Sequence, residues 1–525
     1  MEIKLKNLLL ALLFVGALII HNEKLYSNES EETVIEPDEI IVTSSFIEQN
    51  LSDLDDPIHV IDGEDTIFDT TVSLGESLDN LLGVQSSDFG SAVGHPIIRG
   101  LSGNRVRIMN NGKTLRDVST IGDDHMNEVD LNDIQQIEIV RGPSSLLYSS
   151  GTVGGIVNII DNTIAREDFK EPKLNIGLES QSVNDGEAGS FSYQNNLGGF
   201  NISLAYKDSQ FDNYDIPNGA IIHTEDEHHD EDEHHDEEEH HDEDEHHDED
   251  EHEMEIDYFN KDYSETSFAV NFSRDVNDNF TVSLGLARVE RAPSAVELFM
   301  NGAHLVTGRF EVGNTDLESE TANNVDLNIF YQNNNFSLRG NIFKNDIDNY
   351  IYLQDETEEE HEEHEEHDDH GGLILANFLQ KDAELEGYEF EISQIFTFDR
   401  GNLSLSLGRD SVTGEFKNGM NIPRIVPARN IITVSYSEDN LVARLTYKDV
   451  EEQNDIGEGE TATEAYEMLD FSLRKTFVLN NQNKISLSLF GKNLLDEVAR
   501  NHASFVKNEV PLPGRNYGLK LNYKF

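Results

Sequence analysis

Residues Tyr517 to Phe525 read Tyr-Gly-Leu-Lys-Leu-Asn-Tyr-Lys-Phe, with Tyr517, Leu519, Leu521, Tyr523 and Phe525 on alternate positions. Alternate residues of a strand point to opposite faces, so this segment has one apolar face ending in an aromatic and one polar face. That pattern suits a strand with lipid on one side and water on the other. From about residue 170 onward the chain repeats it in alternating segments separated by Asn, Asp and Gly. They are expected as strands near 172–181, 187–195, 199–208, 265–273, 280–290, 320–332, 336–345, 381–394, 401–410, 428–437, 440–449, 465–476, 483–494 and 514–524. The expected fold is mostly β: an antiparallel transmembrane β-barrel over 170–525, with about fourteen detectable strands, preceded by a mixed α/β domain. A soluble β-sandwich is the competing architecture, and the number and regularity of strands disfavour it.

Asn277-Asp278-Asn279 and Asn333-Asn334-Asn335 are short enough to join antiparallel neighbours as tight turns. They define a short-turn end, which in such barrels faces the periplasm. Long connections then fall on the outward end, and two of them are unusual. Every residue from Glu225 to Glu253 is Asp, Glu or His, nine histidines among twenty acids. The histidines are His228, His229, His234, His235, His240, His241, His246, His247 and His252. The second run, within the loop at 355–371, carries His361, His364, His367 and His370 among eleven acids. Imidazole and carboxylate suit Zn²⁺ and its neighbours, and no thiol competes because the chain has no cysteine. The loops at 223–256 and 355–371 are therefore expected to capture a divalent transition metal, weakly and reversibly, less well once His protonates near pH 6. Their bland reading is a solvated polyacidic loop, since like charges repel and nothing apolar is available to bury.

Removing the 31 acids of the two runs from the total of 104 leaves 73, against 37 Lys and Arg, so the acidity is global. That excludes nucleic acid as a partner, because phosphate binding needs basic surface. Lys4 and Lys6 followed by the apolar stretch Leu8 to Ile20 read as an export signal over residues 1–27. The stretch is short for a bilayer-spanning helix, and no other approaches twenty apolar residues. No nucleophile elbow or phosphate cradle appears, so no enzymatic activity and no catalytic cofactor are expected.

Within the extended segment 28–45, Asp38, Glu39, Ile40, Ile41, Val42, Thr43 and Ser44 form a short β-prone strip in polar surroundings. Such a strip is able to add to another protein's sheet edge. Residues 46–162 then form a compact stretch of short strands and Gly-rich turns. It contains GHPIIRGLSG at 94–103, RVRIMNNG at 105–112 and IEIVRGPSSLLYSSGTVGGIVN at 137–158. These motifs, in this order, resemble the plug domain of the TonB-dependent outer-membrane receptors, and Asp38 to Ser44 resembles their TonB box. The resemblance implies a receptor in the bacterial outer membrane, surrounded by lipid and driven by the TonB complex from the periplasm. It also implies that plug arginines, here Arg99 and Arg141, meet barrel glutamates. The segments LESETANNVDL and AELEGYEFE make Glu320 and Glu386 the expected partners.

Two further segments, VSTIGDDHMNEVD at 118–130 and RAPSAVELFMNGAHLVTGRFEVGN at 291–314, resemble the zinc-uptake receptors of that family. The resemblance implies a metal site built from Asp124 and His125 of the plug, with Asp123 beside them, and from Glu297 and His304 of the barrel. His95 reads as a supporting or structural residue. The cargo implied is zinc; nickel, copper, haem or a siderophore remain alternatives, as does a surface barrel that sequesters metal without moving it. One conflict stands out. Plugged receptors have twenty-two strands. A fourteen-strand barrel has a backbone radius of roughly 14 Å, while a plug of this length has a radius of gyration near 14 Å and so an outer radius nearer 18 Å. Either an internal block is missing between the first strands and Ser264, the plug lies partly outside, or two chains cooperate.

Overall fold

In a computed structural model, the protein is described at residues 41–42, 49–50, 58–63, 73–90, 93–122, 124–129, 134–149, 151–161, 168–222, 261–357, 372–479 and 483–525. Residues 1–40 and most of both His/acid runs lie outside these, as does Asp123.

The fourteen alternating segments are the fourteen strands of one antiparallel sheet path. The last, Asn516–Lys524, pairs with Lys484–Lys492 on one side and with the first, Lys173–Gln181, on the other, placing Tyr523 opposite Ile176. Several strands overrun their expected limits at the loop end. Phe336–Asp355 and Ile374–Phe398 are 20 and 25 residues long and stay paired as far as Asp355 opposite Ala376. One face of the sheet carries exposed apolar side chains, among them Leu327, Ile342, Phe390, Leu407, Leu445, Leu489 and Leu519. That is the band a hydrocarbon environment requires. Short turns join strands at one end, at 278–279, 333–335, 399–400 and 439–440. Both His/acid runs leave from the other, following Phe200–Gln210 and Phe336–Asp355.

The opposite face packs on the compact domain. There Ile58–Asp62, Ile134–Arg141, Gly155–Asp161, Val106–Asn110 and Lys113–Thr114 form a five-stranded mixed sheet, in which Val106–Asn110 and Gly155–Asp161 run parallel. Its own core is Leu74, Leu78, Val84, Ile98, Ile137, Ile139, Val157 and Ile159. A second cluster joins Ile97, Leu101 and Val153 of this domain to Val289, Ala322, Phe343, Ile347, Leu385 and Val412 of the strands. Ile41–Val42, within the expected TonB box, pair antiparallel with Gln49–Asn50, so these two residues already have a strand neighbour in their own chain. The rest of the box lies outside the described residues.

Among the described residues the sheet path ends at Phe200–Gln210 and Phe268–Asn277, each with one strand neighbour. All ten residues of Phe268–Asn277 are exposed, on both faces. The two edges flank residues 211–267, where a missing internal block was one of three expected explanations of the short barrel.

Charge pairs fasten the two domains. Arg99 is held by Asp326 at 2.5 Å, Glu389 at 2.8 Å and Asn341 at 2.9 Å, and Arg141 by Glu389 at 2.6 Å and the Leu82 carbonyl at 2.5 Å. The partner expected at Glu386 is therefore Glu389. Along Ile374–Phe398, Ala383, Leu385 and Glu389 are buried toward the plug, whereas the Glu386 side chain is 62% exposed and 4.0 Å from Lys344. The difference of three residues changes parity, which in a strand changes the face. Glu320 does meet a plug arginine, but it is Arg105, and Arg291 of the barrel shares it.

Gly83 sits against this lattice with φ of +70°, and a Cβ there would collide with the Glu389 carboxylate and Arg141. Gly83→Ala is expected to destabilise by about 1–3 kcal/mol through the left-handed backbone and overpacking combined. A lowered melting temperature of the purified protein would register this, and an unchanged one would refute it.

Candidate metal site

The connection 292–319 turns back on itself above the plug. A five-residue helix, Ala295–Phe299, starts at a capping box in which Ser294 and Glu297 satisfy one another's backbone amides. A small hairpin follows, Asn301–His304 paired with Arg309–Val312, its turn closed by Gly308 at φ of +65°. His304 lies opposite Arg309 and Gly302 opposite Glu311, so His304 and Glu311 are diagonal neighbours on one face. Their side chains meet, Nδ1 to Oε1, at 2.7 Å.

The other ring nitrogen of His304 faces the plug. Its Nε2 is 3.0 Å from Oδ1 of Asp124. That oxygen is buried yet makes no well-aligned hydrogen bond. His125 Nδ1 is 3.7 Å from the other Asp124 oxygen. Gly122 permits this approach, because a Cβ on it would lie 2.5 Å from Asp124 Oδ1 and 3.2 Å from the His304 ring. His95 contacts the carbonyl of His125 at 2.5 Å through Nε2, which makes it a support for the plug loop. Partial burial disfavours the charged form of His304, but Glu311 and Asp124 outweigh this and hold its pKa above the ordinary imidazole value.

Of the expected ligands, Asp124, His125 and His304 come together. Glu297, expected as the barrel carboxylate, is occupied elsewhere: both its oxygens bond Arg291, at 2.9 and 3.0 Å, and one also accepts from Ser294 N at 2.6 Å. Burial works against its charge, and Arg291 more than compensates, keeping its pKa below the usual carboxylate range. The carboxylate beside His304 is instead Glu311, which sequence reading missed. Its signal was the alternation Arg309, Glu311 after the turn glycine Gly308. Among the described residues no three His, Asp or Glu side chains already surround one point. The arrangement is a chain, Glu311–His304–Asp124, with His125 at its end. In a tetrahedral site with metal–ligand distances near 2.1 Å, donors stand roughly 3.3 Å apart. The Nε2···Oδ1 pair is within a few tenths of an ångström of that, and Glu311 holds the far ring nitrogen as carboxylates do behind metal-binding histidines.

Both His/acid runs are rooted here. Asp355, where the second begins, receives two bonds from Arg309 at 2.8 and 2.7 Å, and the strand resuming at Ile374 pairs in parallel with Arg309–Val312. Beyond the first run, the Tyr263 hydroxyl donates to the Leu317 carbonyl at 2.9 Å, and its ring packs on Leu298, Leu317 and Ile351.

A plug docked on a lipid-facing antiparallel sheet, beneath long outer loops, defines an outer-membrane receptor barrel. Comparison with known proteins agrees. Residues 50–156 match the TonB-dependent receptor plug domain and residues 239–494 the TonB-dependent receptor-like β-barrel. The chain belongs to the TonB-dependent receptors of the outer membrane. It is 32% identical over 125 residues to the vitamin B12 transporter BtuB of Photobacterium profundum, a match covering 23% of this chain and 20% of that one. The fold is similar to that of the copper transporter OprC, with a TM-score of 0.68 and 13% identity over 89% of this chain and 98% of that one. It is also similar to the siderophore receptor PirA from Pseudomonas aeruginosa, with a TM-score of 0.56 and 15% identity over 89% and 99%.

Proposed function

We propose that this receptor imports a divalent transition metal, zinc first among the candidates, under the drive of a periplasmic TonB complex. The observation that carries the reading is the Glu311–His304–Asp124 chain with both His/acid runs rooted beside it. The runs collect dilute cations by many weak, exchanging contacts. The ion passes to His304 and Asp124, with His125 as a further donor, and Glu311 orients the imidazole from behind. Engagement of Asp38 to Ser44 as an added strand then transmits force to the plug. Because Ile41–Val42 already pair with Gln49–Asn50, this begins by exchanging two residues of ladder for an intermolecular one. The donor set is oxygen and nitrogen, which suits zinc and nickel. Copper is the second reading; the likeness to a copper transporter, at 13% identity, concerns the fold alone.

Uptake of radioactive zinc by cells expressing the chain tests this directly. Deleting Asp38–Ser44 is expected to abolish accumulation above background while leaving metal binding to the purified protein unchanged. Asp124→Ala/His125→Ala is expected to lower both. Accumulation that survives the deletion would refute energy-coupled transport and favour a surface metal store.

A further inference from the structure

The cavity holding His304 is larger than an ion needs, and its walls are not all acidic. It encloses about 240 Å³ between the plug loops and the outer strands, lined by His304 and Glu311 and also by Arg107, Asn127, Tyr352 and Arg424. Arg107 is exceptional in a chain of net charge −67. The buried arginines 99, 105, 141, 291, 309 and 429 each pair with a carboxylate. Among the described residues Arg107 has no such partner, its buried Nε has no hydrogen bond, and its charged neighbours are Arg116 and Arg291. Tyr352 Oη, on a residue 6% exposed that lines the same cavity, is also unpartnered and able to donate. A half-buried guanidinium without a counter-charge, in a cavity that also offers a free hydroxyl, suits an anion.

The metal half is unfinished in a complementary way. Asp124 and His304 supply two donors where a four-coordinate ion takes four, and such ions retain exogenous ligands in their open positions. A bare hydrated cation would fill those positions with water and leave Arg107 uncompensated. We infer that the cavity receives the metal together with a small polycarboxylate, one carboxylate completing the coordination sphere and another pairing with Arg107. This rests on the metal reading above for its cation half and adds the class of co-ligand. The His/acid runs and the co-ligand are compatible, since weak, fast contacts at the runs release the ion to a chelator that the acidic surface itself repels until the metal neutralises it.

Equilibrium dialysis of the full-length detergent-solubilised protein with ⁶⁵Zn²⁺ and [¹⁴C]citrate separates the two claims, because citrate reports on the cavity and not on the polyacidic runs. Citrate is expected to be retained only when zinc is present. Arg107→Gln should lower its retention roughly tenfold to a hundredfold, the effect of losing a charge-assisted hydrogen bond. Zinc bound without citrate should stay within about threefold of the parent protein. Arg107→Lys, which keeps the charge and loses the fork, should retain an intermediate amount and guards against a folding artefact. Citrate that strips zinc without being retained, citrate retained without zinc, or retention unaffected by Arg107→Gln would each overturn the inference. Loss of the metal reading looks different: zinc binding without citrate would then be unchanged by Asp124→Ala/His304→Ala.

Discussion

Glu389→Ala is expected to destabilise the plugged receptor by about 3–5 kcal/mol, the range for breaking one side of a buried ion pair. Glu389 receives Arg99 at 2.8 Å and Arg141 at 2.6 Å, and both guanidinium groups are almost wholly enclosed, with side-chain exposures of 3%. Without it, Arg99 retains Asp326 and Asn341, but Arg141 keeps the Leu82 carbonyl and loses its carboxylate. An unpaired buried cation draws in water, and here water would enter between plug and sheet. The strands retain their ladders, so the loss falls on docking of the plug. Earlier proteolytic release of the plug, and a first thermal transition ahead of that of the sheet, are the measurements. Glu386→Ala on the same strand provides the control, with a change within about 0.5 kcal/mol, because an exposed ion pair at the edge of contact contributes little. Equal effects from the two substitutions would contradict the assignment of faces along Ile374–Phe398.

The same pair of glutamates shows what the sequence could and could not tell. Alternation located all fourteen strands, because burying one face and wetting the other leaves a period-two record in each. The resemblance to the receptor family, and not alternation, pointed to the segment that meets the plug arginines. Choosing Glu386 over Glu389 required parity, and parity is blurred where a strand rises out of the membrane and both faces become polar. Glu384, Glu386, Lys344 and Lys417 form ion pairs with one another or with Asp346 on the exposed side, so charge no longer marks the inside. The proposed metal ligands divide in a similar way. Asp124 and His125 are adjacent in sequence and were named together from it. The barrel half depended on which carboxylate was already taken, and only the fold reveals that Arg291 occupies Glu297 and leaves Glu311 for His304.

Removing the collecting runs and removing the site should have different concentration signatures, and this contrast is the sharpest test of the division of labour. Replacing residues 225–253 and 358–370 by short Gly-Ser linkers removes thirteen of the twenty histidines without touching a described strand. If the runs serve to concentrate cations above the plug, their loss slows encounter and leaves the later steps alone. The zinc concentration for half-maximal uptake should then rise by roughly tenfold or more, within the range that electrostatic focusing contributes to association, with the maximal rate preserved. Asp124→Ala/His304→Ala removes the two donors that stand 3.0 Å apart, and it leaves Glu311 without its imidazole partner. Uptake should then stay near background at every zinc concentration, since loops that still gather the ion have nowhere to deliver it. Should the loop deletion abolish the maximal rate, the runs themselves would be the obligatory binding site. Should the double substitution merely shift the half-saturation point, His304 and Asp124 would be one way station among several, and the path past the plug would have to begin elsewhere.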